Sequence, residues 1–109
     1  MPVADLDLEV HPDALLEADA GLAWYLERSP RAAEHFLEEV ERALKLILEA
    51  PERWPPHVHG TRRYVLYKFP YNVIYGVSGD RVRIYAIAHA KRRPGYWKMR
   101  LGWPAPPSV

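Results

Sequence analysis

Residues 61–89, TRRYVLYKFPYNVIYGVSGDRVRIYAIAH, decide the fold. The stretch is dense in β-branched and aromatic residues and is interrupted twice, at Phe69-Pro70-Tyr71 and at Ser78-Gly79-Asp80. Proline cannot donate to a ladder and presets a turn, and a glycine beside an aspartate suits a tight hairpin. The reading is three strands, at 62–69, 71–77 and 82–89, joined as a meander. In the last of them, alternation gathers Arg81, Arg83, Tyr85, Ile87 and His89 on one face, opposite Val82, Ile84, Ala86 and Ala88. The second set reads as core, which leaves the first as a basic, partly aromatic exposed surface suited to an anionic ligand. By the same rule Arg62 and Lys68 share one face of the 62–69 strand and Arg63 takes the other.

Upstream the period changes. Leu6, Leu8 and Val10 alternate with Asp5, Asp7 and Glu9, the pattern of a short strand with one wet face. Pro12 then suits a first helical turn, Asp13 and Glu17 complement the positive end of a helix dipole, and Leu15, Ala18, Leu22 and Tyr25 recur at helical spacing. This predicts a helix over 12–27. Ser29-Pro30 is a capping residue followed by proline at the first helical position, and 32–49 contains no breaker. Its stripe Phe36, Val40, Leu44 and Ile47 lies opposite Glu34, Glu38, Glu41 and Lys45, so a second helix packs with the first as a hairpin. Residues 50–60, APERWPPHVHG, hold three prolines and read as a loop. The order is β-α-α-β-β-β. The expected architecture is α+β, a helical hairpin on one face of a mainly antiparallel four-stranded sheet, with residues 1–101 as one domain and the proline-rich 102–109 as a flexible tail.

The chain has 109 residues, 49% hydrophobic and 27% charged, enough for one modest core. There is no cysteine, so thiol nucleophiles, iron–sulfur clusters and cysteine-based zinc sites are excluded, and a reducing cytoplasm is the expected setting. No apolar run approaches the twenty residues of a membrane span, and the acidic first twenty residues lack the cationic start of a secretory signal. The net charge of +1 hides a polar division: residues 1–59 carry five Lys/Arg against thirteen Asp/Glu, and residues 60–109 carry ten against Asp80 alone. A concentrated basic half favours an acidic partner or a phosphate backbone, and the competing reading has the acidic half cover the basic half within the fold or in a dimer.

The densest functional text is His89-Ala90-Lys91-Arg92-Arg93-Pro94-Gly95-Tyr96-Trp97-Lys98-Met99-Arg100. Cations interleaved with rings suit nucleic acid, because cations meet phosphates while rings stack on bases. The competing reading packs Tyr96 and Trp97 on the sheet and leaves the cations solvated. His89 reads first as a structural histidine at a strand end, with general acid or base work as its competing role. His57 and His59 form an HxH pair without a convincing third and fourth ligand, so they are expected in solvent and no metal is implied. Neither a glycine-rich phosphate loop nor a GxSxG, HExxH or paired-carboxylate motif occurs.

The element order, Glu49-Ala50-Pro51, Gly60-Thr61-Arg62, FPYNVIYGV at 69–77, and the run from Ile84 to Trp97 together resemble the RelE/ParE superfamily of bacterial toxins over about residues 4–100. The resemblance implies the toxin half of a type II toxin–antitoxin system, held in a hetero-oligomer with a cognate antitoxin and using no cofactor. The RelE branch cleaves mRNA on the ribosome. On that branch Arg92 matches the basic residue after the last strand and Tyr96 approximates a C-terminal aromatic. Arg92, Lys68 and Arg62 would then bind phosphate, His89 or Tyr96 would move the proton, and Arg83, Lys91 and Arg93 would add RNA or target contacts. One departure stands out, because RelE-like nucleases place an arginine second in the strand that here begins Tyr71-Asn72, and losing that cation removes charge stabilisation of the scissile phosphate. The ParE branch poisons DNA gyrase and needs no catalytic set. A degenerate member would only bind its antitoxin.

Overall fold

The computed structural model describes residues 6–104. Strand β1 (Asp7–Val10) leads into helices α1 (Pro12–Arg28) and α2 (Pro30–Glu49), then strands β2 (Arg62–Val65), β3 (Tyr71–Ser78) and β4 (Arg81–His89). The sheet order is β1-β4-β3-β2, with β1 parallel to β4 and the other neighbours antiparallel. The expected α+β architecture holds. Among the described residues no helix is long and apolar enough to cross a membrane. Asp5, read as part of the first strand, lies outside the described residues, as do 105–109 of the expected tail; within 102–104, Trp103 packs against His11 with ring centroids 5.1 Å apart.

Local chemistry accounts for the helical hairpin. His11 caps α1, its Nδ1 accepting from the Asp13 N–H at 3.0 Å, a job usually given to serine or aspartate. A single residue, Ser29, then closes one helix and opens the next: its N–H donates to the Tyr25 carbonyl at 2.7 Å and its Oγ accepts from the Ala32 N–H at 3.2 Å. Gly21 brings α1 close to α2, since a Cβ there would lie 2.9 Å from Phe36 Cζ and 3.0 Å from the Tyr71 hydroxyl. The α2 stripe Phe36, Val40 and Ile47 is buried together with Ala43, and it packs on Val73, Tyr75, Val82 and Ile84 from the sheet.

Two sequence expectations fail in the sheet. The first concerns Lys68. Strand β2 stops at Val65, and Lys68 sits in the turn to β3 with a left-handed backbone (φ 67°), so it shares no strand face with Arg62. The edge of β2 is also closed by other groups: the Pro55 carbonyl accepts from the Arg63 N–H at 3.1 Å and Glu39 Oε2 accepts from the Tyr67 N–H at 2.7 Å. A proline-bearing loop thus covers the start of that edge and a buried carboxylate caps the chain just beyond it, devices that discourage pairing with another strand.

The second concerns the faces of β4. Ile74 pairs with Ala86 but Tyr75 pairs with Ile84, so Tyr85 is an extra residue, a β-bulge. A bulge reverses the parity of everything beyond it. Val82 and Ile84 face the helices as expected, but so does Ile87, whereas Ala86 and Ala88 join Ile74 on the opposite face under Trp97. The set Arg81 to His89 therefore does not form one exposed basic surface. The outer face instead carries a second small core, roofed by the C-terminal segment through Trp97, Tyr96 and Leu101.

Candidate functional site

Strand β1 ends opposite Ile84, where the His11 N–H donates to the Ile84 carbonyl at 2.9 Å, and β4 runs on for five residues without, among the described residues, a strand on that side. Unpaired backbone groups there need partners. Two side chains supply them. Arg100 Nη1 donates to the Tyr85 carbonyl at 3.0 Å, and Glu17 Oε1 accepts from the Ile87 N–H at 3.0 Å. The same two side chains join through Nη1–Oε1 and Nη2–Oε2 contacts of 2.9 Å each. A bidentate ion pair, largely buried on both sides, thus stands in for the missing strand, and it fixes the C-terminal segment to α1.

Tyr96 belongs to this network. Its hydroxyl donates to Glu17 Oε2 at 2.6 Å. Burial first, and then the hydrogen bond to the carboxylate, push the phenol well above the ordinary tyrosine range, so it stays protonated as a donor. A face of the ring carries a cation: Arg92 Cζ lies 3.9 Å from the ring centroid. The Arg92 N–H donates to the His89 carbonyl at 2.9 Å and the Lys91 N–H to His89 Nδ1 at 3.0 Å, so the histidine folds the turn that presents the cations. Its ring also stands edge-on to Tyr71, with centroids 5.0 Å apart.

Between α1 and this turn lies a groove of about 520 Å³ walled by Gly21, Trp24, Tyr25, Tyr71 and His89, with Arg92 at its rim. It is continuous with an exposed apolar part of α1 that includes Leu16 and Trp24. Lys91, Arg92 and Arg93 are exposed, and among the described residues none of the three has a carboxylate within ion-pair distance. The rim of the groove is therefore a concentration of positive charge with no ion-pair partner among the described residues.

The residues proposed from sequence divide accordingly. His89, Lys91, Arg92 and Tyr96 converge on the groove, with Arg93 in the adjoining turn. Arg62 does not reach it: its Nη1 donates to the Trp54 and Glu52 carbonyls at 2.6 and 3.2 Å and pins the 50–60 loop. Arg83 is held by Glu9 (Nε–Oε1 2.8 Å), which Arg81 also contacts at 2.8 Å, and the Arg83 hydrogen bond holds the Glu9 carboxyl below its usual range. Lys68 lies elsewhere, beside Tyr67 and a second depression lined by His35, Glu38, Glu39 and Arg42. His59 is exposed as expected, whereas His57 is half-buried; both rings lie with centroids 6.0 Å from that of Trp97. Sequence reasoning missed Glu17 and Arg100. A usable signal was present for Glu17, which falls on the same seam of α1 as buried Ala14 and Gly21, where a carboxylate needs an internal partner.

A family model described as the ParE toxin of the type II toxin–antitoxin system parDE matches residues 8–94. Among solved structures, the chromosomal ParDE toxin–antitoxin system from P. aeruginosa contains a similar chain: TM-score 0.70, 20% identity, covering 80% of this chain and 98% of that one. At that identity the likeness is one of fold. No curated protein matches.

Proposed function

The chain belongs to the ParE toxin family of type II toxin–antitoxin systems, and from that membership we propose that it arrests growth by gripping a macromolecular target with its Lys91–Arg93 turn, without cleaving RNA. One observation carries this reading: of the side chains that RNA cleavage would require, only His89 and Arg92 remain at the groove uncommitted. Tyr96 donates its hydroxyl hydrogen bond to Glu17, Arg62 is spent on two carbonyls, Lys68 sits in a different depression, and Asn72 takes the place of a phosphate-binding arginine. Transition-state charge would have to be met by the Lys91–Arg93 turn alone, whereas phosphoryl chemistry calls for preorganised donors arranged around the scissile phosphate. Binding asks for less. Exposed cations beside an aromatic groove can dock an acidic protein surface, and DNA gyrase is the target that the family resemblance implies.

The cognate antitoxin is the second partner in this reading. A segment carrying acidic and apolar residues would neutralise the Lys91–Arg93 turn and cover the apolar side of α1, which steers fast association through charge complementarity. Induced expression in a bacterial host, with growth, plasmid supercoiling and primer extension on translated mRNA followed together, tests the mechanism. The expected result is arrest with altered supercoiling and intact transcripts. Codon-specific cuts that vanish in Arg92→Ala would overturn it in favour of the nuclease.

A further inference from the structure

We propose that Glu17, on α1, is a positioning residue that sets the orientation of the Arg92 guanidinium through Tyr96. The inference deepens the reading above in its functional half and rests on that reading there; the positioning itself stands on geometry alone.

The chain of contacts is short. Glu17 is anchored by the Ile87 N–H and by both terminal nitrogens of Arg100, so its carboxylate has little freedom. Its Oε2 takes the Tyr96 hydroxyl at 2.6 Å, which fixes the far end of that ring. Arg92 lies over the ring at 3.9 Å, while Arg100 Cζ lies 5.2 Å from the same centroid. Negative charge at the hydroxyl end enriches the π face that Arg92 covers, so the same hydrogen bond both aims the ring and strengthens the stack. Among the described residues Arg92 has no carboxylate partner, and this stack, with the backbone turn on His89, is what restrains it. A guanidinium held this way reaches a partner with less entropy to lose than a free one.

The test separates positioning from function. On the purified chain, the Arg92 side-chain protons should resonate upfield of their free positions because they sit over the Tyr96 ring. In Glu17→Gln that displacement should collapse toward the value of an unstacked arginine. Glu17→Gln could instead lose the fold, since it leaves Arg100 uncompensated. Tyr96→Phe covers that case, because it keeps the ring and the Glu17–Arg100 pair, deletes only the donated bond, and should shrink the same displacement. Unchanged Arg92 signals in folded Glu17→Gln or in Tyr96→Phe would overturn the proposal. In cells, Glu17→Gln and Arg92→Ala should raise the arrest dose similarly, and the double variant should exceed the worse single one by less than about twofold, since coupled sites are not additive. Fully additive losses would overturn the functional half. Collapse of the stack with undiminished arrest would leave the positioning intact and sink the target-binding reading instead.

Discussion

Gly21→Ala should destabilise this toxin even though it improves the intrinsic helix preference of α1. Alanine in place of glycine inside a helix is worth about 1 kcal/mol. Against that stands the space at the site. The new methyl would lie 2.9 and 3.1 Å from Phe36 Cζ and Cε2 and 3.0 Å from the Tyr71 hydroxyl, below ordinary van der Waals contact. Phe36 is 1% exposed, and Tyr25, Tyr71 and Phe69 surround it at centroid distances of 5.1, 5.1 and 5.4 Å, so it can retreat only by moving other rings. Overpacking a closed core costs about 1–3 kcal/mol, and a caged aromatic puts this case near the upper end. The expected balance is a loss of about 1–2 kcal/mol, or a fall of roughly 5–10 °C in Tm for a domain of this size. Thermal unfolding followed by circular dichroism measures it. Gly102→Ala is the control, because a methyl there meets nothing within 4 Å. A Tm for Gly21→Ala equal to or above that of the parent would refute the claim that glycine is needed for the α1–α2 approach.

Three further outcomes follow from the network and the charge division. Arg100→Ala strips Glu17 of its cation and frees the Tyr85 carbonyl, and should cost about 2–4 kcal/mol in urea unfolding, toward the lower end of buried ion-pair losses because both partners retain some exposure. His57 has its pKa depressed by burial, then by Arg63 and His59, so the unfolded chain takes up the proton more readily; stability should fall as pH drops below about 6.5, and His57→Gln should flatten that slope in urea midpoints between pH 8 and 5. The association rate with the antitoxin should fall steeply from low to physiological ionic strength in stopped-flow mixing, and a salt-insensitive rate would remove electrostatic steering.

The helical hairpin was legible because its signals are local: Ser29-Pro30 caps and restarts, and the Phe36, Val40, Ile47 period points inward whatever lies opposite. The meander was legible for the same reason, from proline and Gly79 at the turns. The face assignment beyond Tyr85 was not, because a bulge is set by what the neighbouring strand and the C-terminal segment demand, and one inserted residue inverts every later side chain. Lys68 failed similarly, its left-handed turn looking like strand in a run of aromatics. At the candidate site the cations after β4 could be picked out by composition. What they stand on could not, since Glu17 and Arg100 are 83 residues apart and meet only once the sheet edge needs a substitute for the strand that β1 is too short to provide.

The growth-arrest activity of Arg92→Ala, at soluble expression matched to the parent, bears most directly on the basic turn as the working surface. Arg92 stacks on Tyr96 from an exposed position, so its removal should shift folding stability by no more than about 0.5 kcal/mol, as for most surface substitutions. Loss of toxicity with an unchanged melting curve, and only weak recovery in Arg92→Lys, is the expected result, because lysine offers a point charge where a planar guanidinium is stacked. A folded Arg92→Ala variant that arrests growth as strongly as the parent would contradict it.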